Sequence, residues 1–204
     1  MSIFPIYIFM KQAALLAVFI AIVSFSFADP ISNNNGYEIK IPMDTSMMKI
    51  SDVREMLQEI IDITGLQTDF ELKEANVLNI EASVSHRKRF ILYNPTYIAT
   101  LNKLTKNKWA VMTLLAHEVG HHLNGHTIRK GGSTPELELE ADEFAGFILH
   151  KLGATLEQSQ KVMNYIAREK KSHTHPARNS RLSAIEKGWN KAFASEQMND
   201  TAKQ

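Results

Sequence analysis

Residues 117–122 read His-Glu-Val-Gly-His-His, and the first five match the pattern H-E-x-x-H. Two histidines four apart share one face of a helix, so both imidazoles can reach one metal ion. The glutamate beside the first histidine points toward the same open side, where it can take a proton from a water polarised by the metal. The pattern nominates His117 and His121 as zinc ligands and Glu118 as general base. Chance supplies such a string in about one of a few hundred chains of this length, so the flanks must decide whether it lies in a helix.

The run Lys108–Ala116 enters the motif without Gly or Pro. Met112, Leu115, Ala116, Val119 and Leu123 recur at spacings of three and four, which predicts a helix over 107–124 that is apolar on most sides and crosses the middle of a domain. Gly125 is an end signal just past the second histidine. Gly120 gives up about 1 kcal/mol of helix propensity against Ala. Close approach of another backbone is the expected compensation.

A zinc site needs a third protein ligand and one open position. A third histidine in the register H-E-x-x-H-x-x-G-x-x-H is excluded, because those positions hold Asn124 and Thr127, and Gly125 and His126 are each one residue out of register. The alternative is a glutamate from a later helix. Residues 135–152 predict one, with Ser133 or Thr134 as cap and Pro135 in its first turn. Helical phasing sorts its five acids. Glu136, Glu140 and Glu143 share a stripe, most simply a solvated one. Glu138 and Asp142 share the opposite stripe with Ala141, Ala145, Gly146 and Leu149. Small and apolar neighbours mark a packed face, where carboxylates are costly unless paired or metal-bound. Glu138 is therefore assigned as third ligand, and Asp142, one turn later, as the group that holds a ligand histidine's outer N–H, that of His117.

The motif His117–His121, the pair Glu138–Asp142 and the later run His175-Pro176-Ala177-Arg178-Asn179-Ser180-Arg181 together resemble the CAAX-prenyl-protease-like zinc endopeptidases, a family that includes HtpX-type membrane proteases and periplasmic quality-control proteases. Arg89–Pro95 looks like the strand before the metal helix in small members, and the resemblance covers about residues 50–190. It implies one zinc ion per chain, a zincin-like domain and cleavage of polypeptides. It also implies that His175 donates a hydrogen bond to the developing oxyanion and that Arg181 is a structural cation near the site. From the residues alone, His175-Pro176 could equally open the last helix, with Pro in its first turn. His122 and His126 read as partly exposed helix-end residues, and His86, His150 and His173 as surface residues. The chain lacks the membrane spans and helical repeats of larger relatives, so their substrates do not transfer.

Residues 12–27 are almost continuously apolar, preceded by Lys11 and followed by Ser26-Phe27-Ala28. This predicts a signal peptide, residues 1–28, and hence a periplasmic or otherwise secreted envelope protein. Met10-Lys11 makes a more ordinary start for it than Met1. The alternative is an uncleaved anchor over 3–27 that keeps the protein at a membrane facing the periplasm. A lipid anchor is excluded, because the chain has no cysteine. Without residues 1–28, acids and bases are equal in number, which argues against nucleic acid as a partner and against strong electrostatic binding to lipid.

The expected organisation is a leader over 29–49, a metalloprotease domain over 50–195 and a polar, frayed tail over 196–204. Helical spacing covers Ile50 to Ile63, strand alternation covers 77–84 and 90–93, and helices follow over 96–104, 107–124, 135–152, 156–170 and 177–194. Thr155 with Gln158 fits a capping box. The fold class is α+β: a small sheet over the metal helix with a mainly helical second half. The expected activity is zinc-dependent hydrolysis of peptide bonds in unfolded or misassembled envelope proteins. The rival is a non-catalytic metal-binding or chaperone-like module on the same fold, against which Glu118 argues, since metal binding alone does not need it.

Overall fold

A computed structural model describes residues 50–201 apart from 68–69 and 129–131. The expected signal peptide and leader lie outside the described residues. Among the described residues no helix is long and apolar enough to cross a membrane.

Among the described residues the architecture is α+β: six α-helices and one three-stranded mixed sheet. Helix α1 is Ile50–Thr64, closed by Gly65 at φ +65°. The strands are β1 Phe70–Glu74, β2 Ile80–Ser85 and β3 Lys88–Tyr93. Their order is β1-β3-β2, with β1 parallel and β2 antiparallel to β3, so β2 lies at an edge. The β2–β3 turn is tight: His86 and Arg87 have φ of 49° and 65°, the backbone of a type I′ turn, without the usual Asn-Gly.

Asn94 stops β3 and starts α2, Pro95–Thr105, by accepting from the Thr96 and Tyr97 amides with Pro95 in the first turn. Asn107 caps α3, Lys108–Leu123, whose residues 110–117 are all buried. A single 3-10 turn, His126–Ile128, follows. Thr134 caps α4, Pro135–Lys151, and Thr155 with Gln158 forms a complete capping box on α5, Leu156–Ile166. Helix α6 is Arg178–Thr201. The core lies around α3, which β2, β3, α1, α4 and α5 all contact.

Two expectations are corrected and one open alternative is decided. Helix α5 ends at Ile166 rather than 170, although Arg168-Glu169-Lys170 favour helix. Ala167 is extended, and the Arg178 amide and side chain bond the Arg168 and Ala167 carbonyls, which ties down the following loop. Helix α6 begins at Arg178, so His175-Pro176 lies before it rather than in its first turn. The tail is not frayed from residue 195. The helix continues to Thr201 because Glu196 pairs with His150 and Lys151 of α4.

Helices α4 and α6 cross with their backbones in contact. A Cβ on Gly146 would collide with the Ile185 carbonyl, and one on Gly188 with the Glu143 carbonyl. This approach brings Arg181 of α6 onto Asp142 of α4. Gly188→Ala is expected to destabilise the protein by about 1–3 kcal/mol or more, because neither backbone can yield without moving a helix. A denaturant midpoint equal to the wild type's would refute the close-contact account.

Candidate metal centre

Helix α3 presents His117 and His121 one turn apart, with their Nε2 atoms 3.0 Å from each other. Helix α4 supplies Glu138, whose Oε2 lies 3.4 Å from His117 Nε2 and whose Oε1 lies 3.5 Å from His121 Nε2. All three residues are buried or nearly so. The triangle fits a metal. Tetrahedral zinc with bonds of about 2.0–2.1 Å places its ligand atoms about 3.3 Å apart. Two imidazole nitrogens and a carboxylate converging at this spacing form a group that could hold a metal ion.

Small residues bring α4 this close. A Cβ on Gly120 would meet Phe144 Cδ1 at 3.0 Å and Ala141 Cα at 3.3 Å. The propensity lost at Gly120 is thus exchanged for contact with the helix that carries Glu138. Ser133 Oγ donates to Glu138 Oε1 and fixes the carboxylate's turn.

Behind His117 stands a buried charge network. Its Nδ1 is 2.9 Å from Asp142 Oδ1, and Asp142 is 0% exposed. Arg181 grips Asp142 with two bonds of 2.7 Å, from Nε and from a terminal nitrogen. The fork-on-carboxylate geometry satisfies an acid that could not otherwise be buried ionised. Burial opposes charge on His117, yet Asp142 and Glu138 outweigh it and lift the imidazole to about 10. Burial acts against the Glu138 and Asp142 anions too, but His117, Ser133 and Arg181 hold the Glu138 carboxyl, and Arg181 and His117 the Asp142 carboxyl, below the usual range. The pocket therefore favours positive charge at its centre. His121 behaves oppositely: burial and the neighbouring His117 push it down to about 3.

Glu118, next to His117 on α3, reaches the edge strand, where its Oε2 accepts from the Ala82 amide at 2.7 Å. Burial raises its carboxyl to about 7, partly offset by His117 and the Ala82 N–H. The 167–177 loop carries His175 to the site's mouth. Its Nε2 is 3.9 Å from Glu138 Oε2, and its side chain is 40% exposed. Thr174 Oγ1 lies 2.7 Å from the other ring nitrogen. Burial and the nearby cations lower its pKa.

The structure thus brings together His117, Glu118, His121, Glu138, Asp142, His175 and Arg181. It corrects the reading of other residues. His122 is buried, stacked on Phe70 and bonded to the Phe90 carbonyl, which locks α3 to β3. His126 is also buried, 3.0 Å from both His121 and Glu140, so Glu140 is not simply solvated. His150 packs on Trp189 and Phe193 under Glu196 rather than lying on the surface. Tyr97, which no motif marks, is pushed up to about 12 by burial and lies close enough to Arg181 and Glu118 to feel both charges. Its one sequence signal is its place in the first turn after Asn94-Pro95.

No protein-family model matches the chain, and no curated protein matches its sequence.

Proposed function

We propose that the protein is a zinc-dependent endopeptidase with a zincin-like domain, a small envelope member of the family its motifs resemble. One observation carries the reading: a triangle of two imidazole nitrogens and a carboxylate, with sides of 3.0, 3.4 and 3.5 Å, beside a Glu118 tied to an edge strand. A bound zinc ion supplies Lewis acidity, polarising a scissile carbonyl and acidifying water.

The chain's own residues do the rest. Glu118 accepts the water's proton and later returns it to the leaving amine. Thr174 Oγ1 lies 2.7 Å from His175 Nδ1, and with the hydroxyl as donor the ring proton would sit on Nε2, the atom nearer the site. From there His175 donates to the carbonyl oxygen as negative charge builds. With a metal bound, Asp142, braced by Arg181, would hold the remaining ring proton on His117 Nδ1 and leave Nε2 to ligate. Among the described residues strand β2 is at the edge of the sheet, and its Ala82 amide serves Glu118. A polypeptide added there as a further strand is read through its backbone more than its side chains. That suits unfolded or misassembled envelope proteins as substrates.

The test is digestion of an unfolded protein by the purified chain, with and without a zinc chelator. Cleavage at many sites, stopped by the chelator and restored by zinc, is expected. Zinc-loaded protein that cleaves nothing, or cleavage indifferent to the chelator, overturns the proposal.

A further inference from the structure

We infer that His126 and Glu140 are positioning residues, a hydrogen-bonded chain that holds His121 in place as a ligand. This rests on the metal reading above and adds a device to it. His121 turns Nε2 toward His117 and Glu138, so Nδ1 is its outer nitrogen and carries the ring proton. That nitrogen lies 3.0 Å from His126 Nδ1, with the rings edge to face at 5.1 Å. As acceptor at Nδ1, His126 carries its own proton on Nε2, which lies 3.0 Å from Glu140 Oε2. Each bond selects the tautomer that the next one needs.

The backbone makes this possible at Gly125. Its φ of +70° turns the chain back after α3, so His126 folds over the helix end it has just left. The two histidine ligands are thereby supported unequally. His117 leans directly on Asp142, which is fully buried and clamped by Arg181. His121 leans on a carboxylate only through a second imidazole, and that carboxylate is 55% exposed. A screened charge acting through an intermediary polarises the ligand less, so correct orientation is this chain's main effect.

The experiment measures zinc affinity by competition with a chromophoric chelator, and the visible spectrum of the Co2+-loaded protein, for the whole chain and three variants. His126→Leu removes the acceptor and should weaken zinc by about 10–100-fold and shift the cobalt bands. His126→Asn places an amide oxygen near the position of Nδ1, so it should recover most of that loss. Glu140→Gln keeps an acceptor without the charge and should cost less than about 10-fold. Wild-type affinity and spectrum in His126→Leu would overturn the chain alone. His126→Asn as weak as His126→Leu would also overturn it, since the ring would then only fill space. A wild-type protein that binds neither ion would overturn the metal centre itself.

Discussion

Glu118→Gln should keep one zinc ion per chain and lower turnover of an unfolded substrate by at least about 100-fold, up to about 10,000-fold. The amide oxygen can still accept from the Ala82 N–H, so the tie between α3 and β2 survives the change. What is lost is the ability to take up and release a proton at the reacting water. Because Glu118 is not one of the three converging donors, metal content should not move. The measurement pairs metal analysis with a proteolysis rate. Equal zinc content with undiminished chelator-sensitive cleavage would remove Glu118 from the mechanism.

Glu138→Ala should empty the site. Two imidazoles alone leave zinc without its anionic ligand, and affinity should fall by more than the roughly 100-fold that loss of an outer partner brings. Glu143→Ala is the matched control on the same helix. It pairs with Lys187 and Lys191 at the surface of α6, so its removal should leave zinc binding unchanged. Glu138 is buried against Arg181, so the alanine variant also leaves a cation short of a partner. Glu138→Gln, which keeps the shape and an acceptor for Ser133, separates ligand loss from misfolding. If folded Glu138→Gln and Glu138→Ala both titrate zinc as the wild type does, the ligand is another group. If Glu143→Ala empties the site instead, the helical phasing of the acids is wrong.

Much of the centre was legible in one dimension because it is built from helices, and a helix converts spacing directly into facing. The i, i+4 spacing put His117 and His121 on one side, and the same rule divided Glu138 and Asp142 from Glu136, Glu140 and Glu143. Caps at Asn94, Thr134 and Thr155 and the stop at Gly65 are local chemistry too, so helix starts were readable within a residue or two, whereas β2 begins three residues later than its alternation suggested. Where neighbours in space are distant in sequence, no spacing rule applies. The end of α5 at Ile166 was hidden, because its residues favour helix and only bonds from Arg178 end it. The ordered last turns of α6 were hidden likewise, because Glu196 is anchored by residues some 45 positions earlier.

By itself, the sequence determined the α+β class, the two histidines and the packed-face acids, since each follows from periodicity within a single segment. Only the tertiary structure decided how these pieces are held. It put Arg181 on Asp142 through the contact of Gly146 and Gly188 with the facing backbones, tied Glu118 to an edge strand, buried His122 and His126, and recruited Glu140 behind His121. The physical reason is burial. A polar side chain's role depends on whether water or another chain segment faces it, and that is set by long-range packing rather than by the residues on either side.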